Sequence, residues 1–260
     1  MAAKVPAVEL DPGREQGELE AYLGSEFDLR RLQQYQIQLD QEYAECGDEQ
    51  AFYRSSEGYL YNLTAFAMTG TKLPYLTELT RLIPPPARLL DYGCGIGSDG
   101  LMLLEAGYQV EFADFDNPST EYLRWRLARR GADAPIHDLD AGVPEGFDAA
   151  YAFDVIEHVD DPFAFLREME RRARLVMVNL LEPKPEEEEQ EIHHELPIDE
   201  IVRRAGSLGL RSYRIHHGSS HLIAYSATDS QSPMATLRGR ALVLGARARR
   251  RVGRLLSREG

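Results

Sequence analysis

The chain has 260 residues, of which 43% are hydrophobic and 28% are charged. This balance provides for one large globular domain with appendages, and it excludes a chain that is disordered throughout. No apolar run approaches the roughly 20 residues of a membrane-spanning helix, and the first residues lack the basic and apolar regions of a signal peptide. The two cysteines, Cys46 and Cys94, are too few for a disulfide framework or a four-thiolate zinc site. We therefore expect a cytoplasmic protein in a reducing compartment.

The formal charge of −14 is unevenly distributed along the chain. Residues 236–260 contain eight arginines and one acid, Glu259, so this segment carries +7 and the remainder −21. Such a negative body does not suit long nucleic acids. The Arg-rich tail, residues 229–260, has the composition of a basic amphipathic helix, and a peripheral membrane surface, another anionic partner or plain disorder would each explain it. The sequence predicts no particular oligomeric state.

The first 83 residues are predicted to be helical. Apolar residues such as Leu19, Tyr22 and Leu23 recur at helical spacing among charged residues. Residues 84–86 are three prolines, which cannot continue a helix, and a different pattern begins after them. Residues 1–83 are therefore interpreted as a helical N-terminal cap.

From residue 87 onward, short apolar runs alternate with amphipathic segments. The apolar runs predict strands at residues 87–93, 108–114, 134–138, 147–154 and 174–183. The amphipathic segments predict helices at residues 98–107, 118–130 (rich in arginine), 161–173 and 198–208, the last with Asp199 as its N-cap. Two further apolar segments predict a closing hairpin at residues 210–218 and 220–227. This alternation predicts an α/β fold with a doubly wound, mainly parallel sheet over residues 84–228.

A glycine-rich loop follows the first predicted strand. Gly93, Gly95 and Gly97 lie where the backbone must turn tightly into a helix and leave room for a ligand, although an ordinary strand-to-helix turn would also use glycine. Asp114 follows 21 residues after Gly93, at the end of the next strand, where a carboxylate can accept both hydroxyls of a ribose. A dinucleotide-binding loop would have a third glycine where this chain has Ser98, so a nucleotide-cofactor oxidoreductase is disfavoured.

Two motifs carry a resemblance to a known family. The segment LLDYGCGIGSDG resembles the first motif of class I S-adenosylmethionine (SAM) methyltransferases, and YAFDVIEHVDDP resembles their fourth-strand motif as written in ubiquinone-type O-methyltransferases. The resemblance implies a Rossmann-like sheet of seven strands, a helical N-terminal lid and SAM as cofactor. It also implies that Asp138, for which Asp140 is a rival, contacts the adenine between Phe115 and Leu139. The cofactor-binding residues implied are Asp91, Gly93, Cys94, Gly95, Gly97, Asp114, Phe115, Asp138, Leu139 and Phe153.

A D-x-x-E-H cluster ends the fourth predicted strand, at the edge where open α/β sheets carry chemistry. Asp154, Glu157 and His158 are therefore candidate catalytic residues. In one mechanism His158 is a general base that takes a proton from a substrate hydroxyl. In another, all three side chains bind a divalent metal that lowers the pKa of the hydroxyl. A structural alternative is that Glu157 and Asp160 cap the following helix.

A second segment, HHELPIDEI, supplies a candidate fourth metal ligand. Together with the D-x-x-E-H cluster it is similar to the small-RNA 2′-O-methyltransferase domain, and this resemblance implies His194 as the ligand that joins Asp154, Glu157 and His158. Mixed carboxylate and imidazole ligation favours Mg²⁺, Mn²⁺ or Fe²⁺ over structural zinc. Asp154 replaces the first glutamate of that family's motif, which puts an RNA substrate in doubt.

Aromatic residues precede the sheet domain, in a stretch that related methyltransferases fold over the cofactor. Tyr53, Arg54 and Tyr59 are the candidate substrate-binding residues, although most aromatics there are expected to pack the cap. Histidines of the closing hairpin are interpreted mainly as packing residues; they are His216, His217 and His221.

The prediction is a SAM-dependent methyltransferase acting on a hydroxyl of a small molecule, with or without a divalent metal. Two alternatives remain open: a metal-independent O-, N- or C-methyltransferase with His158 as the general base, and a non-catalytic binding or scaffold protein with the same fold.

Overall fold

The computed structural model describes residues 7–35, 58–182, 194–227, 237, 239 and 241–245. Helices in these residues are α1 (Pro12–Leu23), α2 (Leu29–Gln33), α3 (Gly58–Met68), α4 (Leu73–Leu82), α5 (Ser98–Glu105), α6 (Pro118–Arg130), α7 (Pro162–Arg172) and α8 (Ile198–Leu208). Strands are β1 (Arg88–Tyr92), β2 (Gln109–Asp114), β3 (Ile136–Asp138), β4 (Phe147–Ala152), β5 (Ala173–Leu181), β6 (Leu210–His216) and β7 (Ser220–Ser226). Short 3-10 turns occupy Gly24–Glu26 and Ile156–His158.

The seven strands form one sheet in the order β3-β2-β1-β4-β5-β7-β6. The pairs β1–β2, β2–β3 and β4–β5 are parallel, whereas β7 runs antiparallel to both β5 and β6. The predicted α/β fold with a mainly parallel, seven-stranded sheet is therefore confirmed, including the closing hairpin.

The chain divides into two compact units, residues 1–144 and 145–260. In the first unit the described N-terminal helices share a core with the residues around the glycine loop. That core is built from Leu19, Leu32, Leu60, Tyr61, Ile96 and Tyr122. The segment predicted as a separate cap, residues 1–83, thus belongs to the same unit as β1, β2 and β3.

In the second unit β4, β5, β6 and β7 pack with α7 and α8. Burial of Val176, Val178 and Ile223 is complete, which accounts for the continuous apolar character of these strands. The Arg204 guanidinium of α8 pairs with the Glu170 carboxylate of α7, which also accepts a hydrogen bond from the Tyr225 hydroxyl at 2.9 Å. These contacts fix both helices to the sheet.

Helix ends illustrate where local sequence is sufficient. Helix α6 begins after Asn117, whose side chain and that of Thr120 form a capping box, and it ends at Gly131 in the left-handed conformation. The prediction of residues 118–130 is confirmed at both ends. The Asp199 cap of α8 is wrong, because Pro197 holds that position with no side-chain cap bond and Asp199 lies in the first turn. A carboxylate there is still favourable, since it faces the positive end of the helix dipole.

None of the helices in the described part of the chain is long and apolar enough to cross a membrane. Of the Arg-rich tail, only residues 237, 239 and 241–245 are described, and they are helical. Most of the tail, for which a membrane surface or another anionic partner was predicted, therefore lies outside the described residues.

Candidate functional site

The glycine loop between β1 and α5 has the backbone that the sequence predicts. Gly93, Gly95 and Gly97 all adopt positive φ, at 78°, 52° and 72°. A Cβ on Gly97 would lie 2.4 Å from Leu123 Cδ1, and one on Gly95 would lie 2.9 Å from Leu63 Cδ1. Both conformation and space therefore require glycine, because side chains are strained at positive φ and the neighbours are already in contact.

Asp114 holds this loop at the end of β2. Its two carboxylate oxygens accept the backbone N–H groups of Gly95 and Phe115, each at 2.7 Å. The Ala113 carbonyl accepts the N–H groups of Gly93 and Cys94 at 2.8 and 3.2 Å. Burial raises the pKa of Asp114, while these hydrogen bonds act in the opposite direction. A carboxylate has about four acceptor positions, so Asp114 retains the capacity to accept hydroxyl groups.

Asp138 lies directly beside Asp114, because the two residues are paired in the parallel register of β2 and β3. The Leu139 N–H donates to the Asp114 carbonyl at 3.0 Å. Asp138 Oδ1 accepts the Asp140 N–H at 3.0 Å, and Asp140 itself is exposed. Of the two rival acids, Asp138 is therefore the one adjacent to Asp114.

Three further predicted cofactor residues are Asp91, Cys94 and Phe153. Asp91 is buried in β1, where its carboxylate faces Gly100 so closely that a Cβ there would lie 2.9 Å from Oδ2. Burial, followed by the charges of Asp114 and Asp91, raises the pKa of the Cys94 thiol well above its usual value. Phe153 is buried in the second unit, with its ring 5.2 Å from that of Tyr151. Asp91 and Phe153 are thus buried, whereas Cys94 is half-buried in the loop.

Helix α3 lies over the glycine loop within the first unit. A cleft there is lined by Leu63 and Phe66 of α3, by Lys72, and by Cys94 and Ile96 of the loop, among others. Tyr59 is half-buried on the same helix. The other predicted substrate residues, 53 and 54, lie outside the described residues.

The D-x-x-E-H segment follows β4. Asp154 has a φ of 57°, a left-handed conformation that aspartate tolerates better than most side chains. The Asn179 side chain holds it on two sides, since Nδ2 donates to Asp154 Oδ1 at 2.6 Å and Oδ1 accepts the Asp154 N–H at 2.8 Å. The structural alternative, in which Glu157 and Asp160 cap the following helix, is wrong, because the N-cap of α7 is Asp161, which accepts the Ala164 N–H at 2.8 Å.

The four predicted metal ligands do not converge. Glu157 is buried, with 1% of its surface exposed, whereas His158 is half-exposed. The His194 N–H donates to the Glu157 carbonyl at 2.8 Å, so the two segments do meet, but the His194 imidazole lies 3.8 Å from the Asp160 carboxylate. Within the described residues, no group of three or more His, Cys, Asp or Glu side chains is arranged to hold a metal ion. In this arrangement the described residues do not fit the predicted metal.

The sequence did not predict the contact of Asn179 with Asp154, nor a second series of hydrogen-bonded side chains in the same unit. Tyr213 OH lies 2.5 Å from His221 Nδ1, and His221 Nε2 lies 2.7 Å from Glu182 Oε1. The His221 ring is buried and stacks on Tyr213, which agrees with its interpretation as a packing residue. The one available signal was Asn179 itself, a polar residue inside the apolar run of the fifth predicted strand.

Residues 68–200 match a family described as "Methyltransferase domain", a segment of just over half the chain. Ubiquinone biosynthesis O-methyltransferases from Xanthomonas campestris pv. campestris (strain B100) and Xanthomonas axonopodis pv. citri (strain 306) are 30% and 31% identical to the chain over 106 residues. This alignment covers 39% of the chain and 44% of each relative. The chain therefore spans less than half the length of these curated relatives.

Solved structures show the same fold at low identity. The mitomycin 7-O-methyltransferase MmcR is 16% identical, with a TM-score of 0.52 over 85% of this chain and 74% of that chain. The magnesium protoporphyrin IX methyltransferase ChlM from Synechocystis PCC 6803, solved with bound SAM, is 16% identical, with a TM-score of 0.50 over 83% of this chain and 97% of that chain. These likenesses establish the fold alone.

Proposed function

The chain belongs to the methyltransferase-domain family, and on that premise we propose that it is a SAM-dependent methyltransferase that methylates a hydroxyl of a small molecule. The observation that carries the proposal is the glycine loop bound through the Gly95 N–H to the Asp114 carboxylate at the end of β2. Ligands of open α/β sheets bind at the carboxyl ends of strands, and an acid at this position suits a ribose.

The residues around Asp114 fit an adenosyl group. Asp114 would accept the ribose hydroxyls, while Asp138, its neighbour in register, would accept from the adenine amino group. Phe115 directly follows Asp114 and Leu139 directly follows Asp138; both are half-buried and would flank the ring. When bound, SAM supplies an electrophilic methyl group on a sulfonium.

The chain's part in the reaction is to orient the acceptor and to remove its proton. His158 is the proposed general base, because it is half-exposed and an imidazole titrates near neutral pH. The hydrogen bonds between Asp154 and Asn179 fix the backbone just before the 3-10 turn that carries His158. Holding the acceptor in line with the transferring methyl would contribute most of the rate. The preference for oxygen rests on the similarity to ubiquinone biosynthesis O-methyltransferases.

The proposal is tested first by cofactor binding. Calorimetric titration with S-adenosylhomocysteine (SAH) should show binding to the wild type and at least about a hundredfold weaker binding to Asp114→Ala, because two charge-assisted hydrogen bonds are lost. The matched control is Asp116→Ala, which removes an exposed carboxylate two residues away that pairs with exposed Arg124. Equal affinity of wild type and Asp114→Ala would contradict the assignment of the site.

A turnover assay then separates the enzyme from the non-catalytic alternative. SAH formation from SAM is measured with a panel of phenols and with matched anilines as nitrogen acceptors. We expect turnover with phenols, and a large fall in kcat in His158→Ala with SAH affinity unchanged. Turnover with anilines alone would replace the oxygen acceptor by nitrogen, and SAH binding without any turnover would favour a binding protein.

A further inference from the structure

A fully buried guanidinium lies at the base of the glycine loop. Arg126 of α6 has no exposed surface, and its Nη1 donates to the Ile96 carbonyl and to Ser98 Oγ, both at 2.9 Å. Ile96 and Ser98 are the two neighbours of Gly97, the residue whose left-handed conformation turns the chain into α5. Arg126 therefore binds the loop on both sides of its turning point.

The counter-charges of Arg126 come from the N-terminal helix. Arg126 Nη2 donates to Glu15 Oε1 at 2.5 Å, and Nε donates to Glu18 Oε2 at 2.8 Å. Ser98 Oγ in turn donates to Glu15 Oε2 at 2.7 Å. Glu15 thus contacts the loop twice, once through Arg126 and once directly through the Ser98 hydroxyl.

The centre of this network is buried. Glu15 and Glu18 are each 4% exposed, and Arg130 adds hydrogen bonds to both oxygens of Glu18 at 2.8 and 2.7 Å. Charges buried in this way are costly unless every partner is in place, so removal of one partner disturbs the others. A hydrophobic contact between α1 and α6 would hold the helices together without contacting the loop.

We propose that Arg126 is a positioning residue of the cofactor loop, and that α1, through Glu15, sets the affinity of that loop for SAM. The inference rests on the proposed function. It gives the N-terminal helix a role beyond covering the site, because docking of α1 and binding of the cofactor then stabilise one another. It also assigns a role to Ser98, which stands where a dinucleotide-binding loop has glycine.

The test uses two variants and one control in the full-length chain. Glu15→Gln removes the charge that pairs with Arg126, and Ser98→Ala removes only the hydroxyl that joins Glu15 to the loop. The control is Glu170→Gln, which removes the charge from an Arg–Glu pair of the same type between α7 and α8. SAH affinity is measured by calorimetry at a temperature where every variant is folded, and amide hydrogen exchange is measured for residues 93–98.

We expect SAH affinity to fall about 5- to 50-fold in Glu15→Gln and Ser98→Ala, a range typical of coupling between sites, and exchange in the loop to accelerate. Glu170→Gln should lose thermal stability without either change. If the two loop variants lose stability as the control does, yet keep wild-type affinity and loop exchange, the inference is overturned. Failure of the wild type to bind SAH would instead refute the proposed function, and loop exchange in the ligand-free variants would still decide whether α1 positions the loop.

Discussion

The glycine loop and the D-x-x-E-H segment are both short motifs at the ends of strands, but they differ in what specifies them. In the loop, the contacts that define the site are backbone N–H groups bound to one carboxylate, Asp114. In the D-x-x-E-H segment, the side chains take separate directions: Asp154 binds Asn179, and Glu157 is buried. A site built from backbone follows from where glycine must stand, whereas a site built from side chains depends on partners elsewhere in the chain.

The largest effect should come from filling the space beside the loop. Gly97→Ala should lower the free energy of unfolding by about 3 kcal/mol, because it combines left-handed strain with overpacking against Leu123, whose Cδ1 would lie 2.4 Å from the new Cβ. The matched control is Gly131→Ala at the end of α6, where φ is 63° and a Cβ would meet nothing within 4 Å. It should cost only the strain, about 1 kcal/mol. Urea denaturation compares the two, and equal losses would show that backbone conformation alone demands glycine at residue 97.

In the D-x-x-E-H segment, we expect the largest loss of stability from substitution of Asn179, a residue that belongs to neither sequence motif. Asn179→Ala should cost about 2 kcal/mol, because it leaves both the Asp154 N–H and a carboxylate oxygen without their buried partner. Ser220→Ala is the control, since the bond that its hydroxyl accepts from Asn179 is long, at 3.4 Å. Urea denaturation should show a loss of well under 1 kcal/mol for the control. A larger loss in Ser220→Ala than in Asn179→Ala would mean that Asn179 does not organise this segment.

The sequence predicted features that are defined by the local backbone better than features that depend on distant side chains. Helix α6 is correct to the residue because Asn117 and Gly131 mark its ends locally, and Asp114 is found because the end of a strand fixes its position. The role of Arg126 could not be found, since in sequence it is one of several arginines of an amphipathic helix. Its partner Glu18 is 108 residues away, and nothing local reports that the two meet in the core.

The metal prediction exceeded what the sequence could support for the same reason. The sequence predicted Glu157 and His158 just after the fourth strand, where they lie in one 3-10 turn, and the resemblance implied that His194 joins them. In the structure the His194 N–H does reach the Glu157 carbonyl. Whether imidazole and carboxylate point to a common centre depends on side-chain packing, which buries Glu157 and directs His194 toward Asp160.

Smaller effects are expected in the pH dependence of stability, with opposite signs for two acids of the first unit. Burial raises the pKa of Glu18, but hydrogen bonds and charge from Arg130 and Arg126 outweigh it and the net shift is downward. Glu18 therefore stabilises the fold above its unfolded pKa of about 4.3, and this contribution is lost as the pH falls through the lower, folded pKa. Burial raises the pKa of Asp114, so the contribution of this one carboxyl to stability falls as the pH rises from about 3.9 through its folded pKa.

Glu18→Gln should accordingly flatten the acid loss of stability below about pH 4.3, and Asp114→Asn should steepen the rise of stability with pH above about pH 3.9. The measurement is the unfolding free energy between pH 3 and 7, compared as slopes rather than as absolute values. Asp116→Asn is the control, because that carboxylate is exposed, and its slope should match the wild type. If both variants changed the slope in the same direction relative to the wild type, the assigned directions would be contradicted.

The smallest effect is expected at His194. Its side chain is 46% exposed and lies 3.8 Å from Asp160, which is 88% exposed, so the pair should contribute less than about 0.5 kcal/mol. Alanine keeps the backbone N–H that donates to the Glu157 carbonyl, and His194→Ala should unfold at the wild-type temperature with or without Mn²⁺. A rise in the melting temperature of the wild type with Mn²⁺ that is lost in His194→Ala would contradict this, because a ligand bound only by the folded state stabilises it. Such a rise would mean that the bound ion itself draws these side chains together. The two regions would then differ in what forms the site: the glycine loop is formed by the chain alone, whereas the D-x-x-E-H site would form only when its ligand binds.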